Sequence, residues 1–161
     1  MPKLSVINEL PAAEAMAGFL KCNGSSQWAE EMTEARPFSN ADDLFEAARE
    51  IWQDLPKGDW MEAFEAHPPI GDKSSKGWAK DEQKGAEKAS AATLAELEKL
   101  NKEYLDKFGF VFLIFASGKS ADEMLAQLKK RIGNEQADEM RTAAEEQTKI
   151  THHRLEKWLK E

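Results

Sequence analysis

Apolar residues recur every three or four positions along most of the chain, which is the spacing that one face of an α-helix produces. Prolines and glycines fall between the periodic stretches, and proline stops a helix because it lacks a backbone N–H. Polar residues of the kind that cap helices precede several stretches. The pattern predicts helices from Asn8 or Glu9, over 26–35, after Ser39, from Asp59 to Pro68, over about 79–107, after Ser120 and after Asn134. We therefore expect an all-α, single-domain helical bundle over residues 1–161.

The segment FGFVFLIFASG, residues 108–118, departs from this periodicity because it is continuously apolar, aromatic and β-branched. A buried helical turn would fit it, but we expect one short extended segment near 109–116, with no other strand to pair with. Unpaired backbone N–H and C=O groups need partners, which side chains, water or a bound ligand can supply. The segment is therefore a connector through the core and, on the functional interpretation, also the lining of a pocket.

Composition and charge narrow the classes of function. Of the 161 residues, 41% are apolar and 32% charged, which indicates a folded globular protein. The net charge of −8 argues against a nucleic-acid partner, since such proteins carry a basic face. Cys22 is the one cysteine, so an internal disulfide is excluded and a reducing compartment is favoured. No apolar run is long enough to cross a membrane and the first residues lack a signal pattern, so we expect a cytoplasmic protein without a membrane partner.

His67 stands at a predicted helix end, directly before Pro68 and Pro69. A proline disfavours the α conformation in the residue before it, so the helix must stop at this histidine. Gly71 closes the turn that follows. His67 is either a residue that happens to precede a break, or an imidazole that the rigid break holds in place.

Two further polar residues fall on apolar helix faces. Glu82 extends, towards the N-terminus, a stripe made by Ala86, Ala89, Thr93, Leu97, Leu100 and Tyr104. Arg154 lies within a stripe made by Met140, Ala143, Gln147, Ile150, Thr151 and Trp158. The ordinary explanation for Glu82 is a favourable interaction with the positive end of a helix dipole. The ordinary explanation for Arg154 is a structural ion pair. The alternative is a pocket in which His67, Glu82 and Arg154 serve proton transfer and anion binding.

The sequence contains neither a metal-ligand cluster nor a glycine-rich phosphate loop. His152 and His153 are adjacent, so they point apart on a helix, and the glycines do not have the spacing of a phosphate loop. We expect no metal site.

Four blocks of the sequence resemble the 2-oxo-4-hydroxy-4-carboxy-5-ureidoimidazoline (OHCU) decarboxylase family. They are HPPIG at 67–71, DEQKGA at 81–86, FGFVFLIFASGKS at 108–120 and ITHHRLEKWL at 150–159. The blocks occur in the order and spacing of the family, and together they cover essentially the whole chain. The His-Pro-x-x-Gly and Glu-Gln-x-x-Ala blocks are specific in combination, whereas either alone is weak.

The resemblance implies an all-α enzyme, often a homodimer, that uses no metal or organic cofactor. It implies the decarboxylation of OHCU to (S)-allantoin and CO2 in urate degradation. On that basis His67 and Glu82 are the catalytic acid–base residues. The implied substrate-binding residues are Pro68, Gln83, Phe112, Leu113, Ile114, Phe115, Ala116 and Arg154, with the backbone of 112–116 contacting the polar ring of the substrate.

One position departs from the family pattern. Many members have a serine three residues before the motif glutamate, where this chain has Ala79. A hydroxyl contact to the substrate is then missing or comes from another group. Two other functions are compatible with the sequence, namely a non-catalytic helical interaction domain and a lyase that acts on a related ureido or imidazoline compound.

Overall fold

The computed structural model describes residues 3–69 and 90–161. Within these ranges the chain forms eight α-helices and no β-strand, which confirms the predicted all-α class. None of these helices is long and apolar enough to cross a membrane. The helices are α1 (Lys3–Glu9), α2 (Ala12–Cys22), α3 (Ser26–Ala35), α4 (Ala41–Asp54), α5 (Lys57–Glu65), α6 (Ala91–Phe108), α7 (Ala121–Arg131) and α8 (Gln136–Lys160).

The chain divides into two compact units. The first comprises residues 1–63 and 147–161, and the second comprises residues 64–146. The long helix α8 therefore contributes its first 11 residues to the second unit and its remainder to the first. Each unit has its own buried apolar side chains.

The first unit is organised around tryptophan and phenylalanine rings. Trp28 is fully buried, and its indole N–H donates to the carbonyl of Ala48 at 3.1 Å. The ring of Phe19 makes edge-to-face contacts with Trp28 and Trp158, at centroid distances of 5.9 and 5.2 Å. Gly18 allows α2 to approach Trp158 closely, because a Cβ at this position would overlap the indole ring.

A cluster of aromatic rings forms the core of the second unit. The Tyr104 ring lies 4.5 Å from Phe108 and 5.4 Å from Phe112, measured between centroids. The ring of Phe64 lies 5.2 Å from Phe110. The cluster therefore connects the end of α5, the last turns of α6 and the segment that follows α6.

Several helix boundaries differ from the predicted ones near the N-terminus. Pro11 is not inside the first turn of a helix that starts at Asn8 or Glu9, because its extended ψ of 146° separates α1 from α2. The N-cap of α4 is Asn40 rather than Ser39, and its side chain accepts from the N–H of Asp43. Helix α5 begins at Lys57, two residues before the predicted Asp59.

A single helix over 79–107 was also a wrong prediction. Ser90 is the N-cap of α6, with an extended ψ of 157° and a side chain that accepts from the N–H of Thr93. The last helix starts at Gln136, and the Asn134 amide donates to the carboxylate of Glu139 instead of capping that helix. The capping box predicted at Ser120 is confirmed.

Candidate functional site

His67 lies just beyond the last residue of α5, at the predicted helix end. Its backbone N–H donates to the carbonyl of Phe64 at 3.1 Å, which closes a final turn before Pro68 and Pro69. His67 and Pro68 are half-buried, whereas Pro69 is exposed. The imidazole is therefore carried on a turn that the backbone hydrogen bond and two fixed proline φ angles constrain.

Glu82, Gln83 and Ala79 lie outside the described residues, so their predicted roles stay predictions. The inward-facing position predicted for Glu82 assumes that one helix continues without a break from Tyr104 back through residue 90. Because α6 begins after the N-cap Ser90, the apolar stripe of α6 does not support that position. The assignment of Glu82 now rests on the sequence motif alone.

The segment Phe112–Ala116 forms neither a helix nor a strand. Its side chains are buried except for Phe115, which is half-buried. The Arg131 guanidinium donates from Nη1 to the carbonyl of Leu113 at 2.7 Å. The N–H of Phe115 donates to Glu146 Oε1 at 2.9 Å, and Lys119 Nζ donates to the carbonyl of Phe115 at 2.8 Å. Side chains of the protein thus supply partners for the backbone of two of these residues.

A buried ion pair supports the guanidinium that reaches Leu113. Arg131 is 5% exposed and Glu139 is fully buried. The guanidinium donates to the carboxylate from Nε at 3.1 Å and from Nη2 at 2.9 Å, and it lies 4.6 Å from the centroid of the Phe112 ring. Since every hydrogen bond from Arg131 is made to a charged or backbone oxygen, its desolvation is compensated.

The phenol of Tyr104 completes this cluster. Its O–H donates to Glu139, which also accepts from the Asn134 amide. Burial raises the pKa of the Tyr104 phenol far above its ordinary value, and the hydrogen bond to Glu139 raises it further. The neighbouring guanidinium of Arg131 opposes this shift without reversing it. Tyr104 is therefore a neutral hydrogen-bond donor to the carboxylate.

Sequence reasoning missed Arg131, Glu139 and Glu146, although the helical wheel carries a signal for each. Arg131 follows Leu128 by three positions on the buried face of α7. Glu139 and Glu146 are seven residues apart on α8, on one face with the buried Ala143. Charged residues within an apolar stripe are therefore a detectable signal, whereas the partner of each depends on which helices meet.

An aromatic contact links His67 to the irregular segment. Phe64 precedes His67 by three residues and is fully buried. Its ring packs against Phe110, which precedes Phe112 by two residues. The second unit thus brings the turn that carries His67 and the start of the 112–116 segment to one aromatic cluster.

Arg154 belongs to the first unit and is half-buried, in agreement with its predicted place within an apolar stripe. Its Nη1 donates to the carbonyl of Lys21 at 3.1 Å, at the C-terminal end of α2. A cation at this position is favourable for the partial negative charge of a helix C-terminus. Capping of α2 is therefore one role of this arginine, and its role towards a substrate stays a prediction.

Over residues 3–69 and 90–161, no three His, Cys, Asp or Glu side chains are grouped as ligands of a metal ion. His152, which is exposed, pairs with Glu156 on the same helix at 3.1 Å and stacks on the ring of Phe45. The position of His152 is therefore accounted for by local contacts, with Glu156 within α8 and with Phe45 on α4.

Comparison with known proteins identifies similar chains. The family model described as OHCU decarboxylase matches residues 8–156. The uric acid degradation bifunctional protein TTL of Arabidopsis thaliana is 41% identical over 145 residues, which cover 84% of this chain and 44% of that protein. This chain therefore spans less than half the length of that relative.

Two relatives are similar to this chain over most of their own length. The 2-oxo-4-hydroxy-4-carboxy-5-ureidoimidazoline decarboxylase of Amia calva is 34% identical over 128 residues, which cover 75% of this chain and 73% of that protein. The protein of the same name from Haloferax volcanii is 26% identical over 156 residues, which cover 94% of this chain and 93% of that protein.

A solved structure also resembles the fold. A crystal structure of OHCU decarboxylase in the presence of (S)-allantoin has a TM-score of 0.81 and 40% identity to this chain. The match covers 89% of this chain and 97% of the crystallised one.

Proposed function

This chain belongs to the OHCU decarboxylase family, and on that premise we propose that it converts OHCU to (S)-allantoin and CO2. The reaction is a step of urate degradation, and the enzyme is a carboxy-lyase that acts on a small molecule. The family match over residues 8–156 extends into both compact units.

The observation that carries the proposal is the aromatic contact between Phe64 and Phe110. It places the His67 turn and the Phe112–Ala116 segment on one cluster within the second unit. These are two of the parts that the family resemblance assigns to the substrate. An imidazole on a constrained turn and a buried irregular backbone segment are suited to proton delivery and to the recognition of a polar ring.

The chemistry requires charge stabilisation followed by directed protonation. Cleavage of the bond between the ring carbon and the carboxylate releases CO2 and leaves an electron pair, which delocalises into the ring as an enolate-like species. Donors that are already in place stabilise this charge without reorganisation. A proton delivered to one face of the ring then sets the configuration of the product, and a positioned acid of this kind contributes roughly 10²–10⁴-fold to the rate.

We assign proton handling to His67 together with Glu82, whose carboxylate would orient the imidazole. Pro68 and Gln83 would contact the substrate beside them. Arg154 would hold a carbonyl or carboxylate of the substrate through paired N–H donors, in addition to its bond to the end of α2. The family resemblance supports each of these roles, position by position.

The homodimer and the cytoplasmic location are part of the same proposal. Both come from the sequence and the family resemblance. Sedimentation of the purified chain would measure the first, and fractionation of cells that express it would measure the second.

The proposal is tested by adding the purified chain to OHCU freshly generated from urate and following its ultraviolet absorbance. We expect OHCU to disappear faster than it does in buffer. His67→Asn should lower kcat by at least about 10²-fold while the far-ultraviolet circular dichroism stays that of the native protein. His152→Asn is the matched control, because this histidine is exposed, stacks on Phe45 and pairs with Glu156, and no role towards the substrate is proposed for it.

The alternatives predict different outcomes. No acceleration by the native chain would favour a non-catalytic helical domain. Acceleration of a related ureido or imidazoline compound, but not of OHCU, would favour a lyase with a different substrate. A His67→Asn variant with native kcat would refute the assignment of the proton to His67.

A further inference from the structure

We propose that Glu146 and Arg131 are positioning residues for the reaction, because they hold one edge of the 112–116 backbone and thereby present the opposite edge to the substrate. The inference rests on the proposed function of this segment in substrate recognition. It concerns residues that contact the segment rather than the substrate.

The two residues bind backbone groups two positions apart. Arg131 donates to the carbonyl of Leu113, and Glu146 accepts from the N–H of Phe115. The segment forms neither a helix nor a strand, and the sequence predicts it to be extended. In an extended chain, the polar groups of residues two positions apart face the same edge. Lys119 adds a third hydrogen bond at this edge, to the carbonyl of Phe115.

The same alternation assigns Phe112 and Ile114 to the other edge. Among the described residues, the hydrogen bonds of the segment are made by Leu113, Phe115 and Ala116, and none involves the buried backbone of Ile114. Buried backbone groups in folded proteins are ordinarily paired with protein, water or ligand. The Ile114 edge is therefore the one that has donor and acceptor capacity for a polar ring.

One face of α8 fixes both holding points. Glu139 and Glu146 are two helical turns apart, so they project from the same side of the helix. Glu146 reaches the segment directly, whereas Glu139 reaches it through the buried Arg131. Glu146 is 9% exposed, so water competes little for its carboxylate. Any movement of the segment along α8 would break at least one of these hydrogen bonds.

The experiment compares three variants of the full chain. Glu146→Leu removes the acceptor at similar length, whereas Glu146→Gln keeps an oxygen that can accept from the N–H of Phe115. Glu145→Leu is the matched control, because Glu145 precedes it on α8 and is exposed. The measurements are kcat and KM for OHCU, together with hydrogen exchange of the Phe115 amide.

We expect Glu146→Leu to lower kcat/KM by about tenfold or more and to increase the exchange rate of the Phe115 amide by a similar factor. Glu146→Gln should stay within about threefold of the native chain in both measurements, since the bond is kept without the charge. Glu145→Leu should change neither.

Native kcat/KM in Glu146→Leu would overturn the inference, and so would a Glu146→Gln variant as impaired as Glu146→Leu. If Glu146→Leu does not fold, Lys119→Met tests the same edge of the segment, because Lys119 is half-buried and donates the third hydrogen bond to it, at the carbonyl of Phe115. An unchanged kcat/KM in Lys119→Met would then overturn the inference. A native chain that does not act on OHCU would refute the proposed function. The exchange of the Phe115 amide would then still show whether Glu146 holds the segment.

Discussion

At the residue scale, the side chain of Tyr104 has two separate roles, one for its ring and one for its hydroxyl. It lies on the predicted apolar stripe of α6, and its ring contributes to the aromatic core of the second unit. Its hydroxyl reaches inward to Glu139, which in turn holds Arg131. The ring could be assigned to the core from periodicity, whereas the destination of the hydroxyl depends on which residue α8 places opposite it.

The raised pKa of Tyr104 predicts a loss of stability in alkali. Above the ordinary tyrosine pKa near 10, the unfolded chain releases the phenol proton while the folded chain retains it. The unfolded state then binds fewer protons, so the free energy of unfolding falls as the pH rises above about 10. Urea unfolding at a series of alkaline pH values should show this decline in the native chain and a shallower one in Tyr104→Phe.

Spectroscopy offers a direct check, because Tyr104 is the one tyrosine of the chain. In urea, the ultraviolet absorbance of tyrosinate should rise near pH 10. Without urea, it should rise only at the higher pH at which the chain unfolds. A folded chain that forms tyrosinate near pH 10, or a Tyr104→Phe variant with the native pH dependence, would contradict this account.

Other residues could be assigned from the sequence only where neighbouring residues determine their position. The prolines after His67 were sufficient to place it at a helix end, since their effect on the backbone is local. Arg131 and Glu146 required knowledge of the path of the 108–118 segment past α7 and α8. That path is a tertiary property that helical periodicity does not contain.

At the element scale, capping residues determine where the helices begin. The Ser120 box was predicted because both of its members are polar and correctly spaced, and the structure contains both hydrogen bonds. At 39–40 two capping residue types are adjacent, and the chain uses Asn40. Ser90 was overlooked because the apolar repeat in the sequence continues across it, so periodicity alone did not indicate that α6 begins after this residue.

The crossing of α2 and α8 in the first unit predicts an unusual effect of a glycine substitution. Glycine to alanine within a helix ordinarily stabilises by about 0.5–1 kcal/mol. At Gly18 the added methyl would overlap the ring of Trp158, so Gly18→Ala should instead lower the free energy of unfolding by about 1–3 kcal/mol.

Gly58→Ala is the matched control, since Gly58 lies in α5 and, among the described residues beyond its own stretch of helix, no atom lies within 4 Å of where its Cβ would stand. This variant should be neutral or slightly stabilised. Urea unfolding of both variants, followed by tryptophan fluorescence, measures the difference. Equal stabilities of the Gly18 and Gly58 variants would contradict the packing described for Trp158.

At the scale of the whole molecule, composition and motif order were the informative features. The all-α class and the OHCU decarboxylase family, both predicted from the sequence, are confirmed by the helices of the structure and by the family match over 8–156. The short extended segment is present as an irregular stretch whose backbone is held by side chains. The assignment of Glu82 stays a prediction.

The division into two compact units was not anticipated, because composition does not change along the chain. Both α5 and α8 contribute residues to each unit, so no linker marks the division in the sequence. A single domain over residues 1–161 stays a prediction.

The handedness of the product tests the central claim most directly. OHCU freshly generated from urate is incubated with the native chain until its absorbance is lost, and the circular dichroism of the resulting allantoin is recorded against a buffer control. Protonation of one face by a positioned acid predicts the spectrum of (S)-allantoin, formed faster than in buffer. Allantoin without net circular dichroism, or formed no faster than in buffer, would contradict the assignment of this chain as a stereospecific decarboxylase.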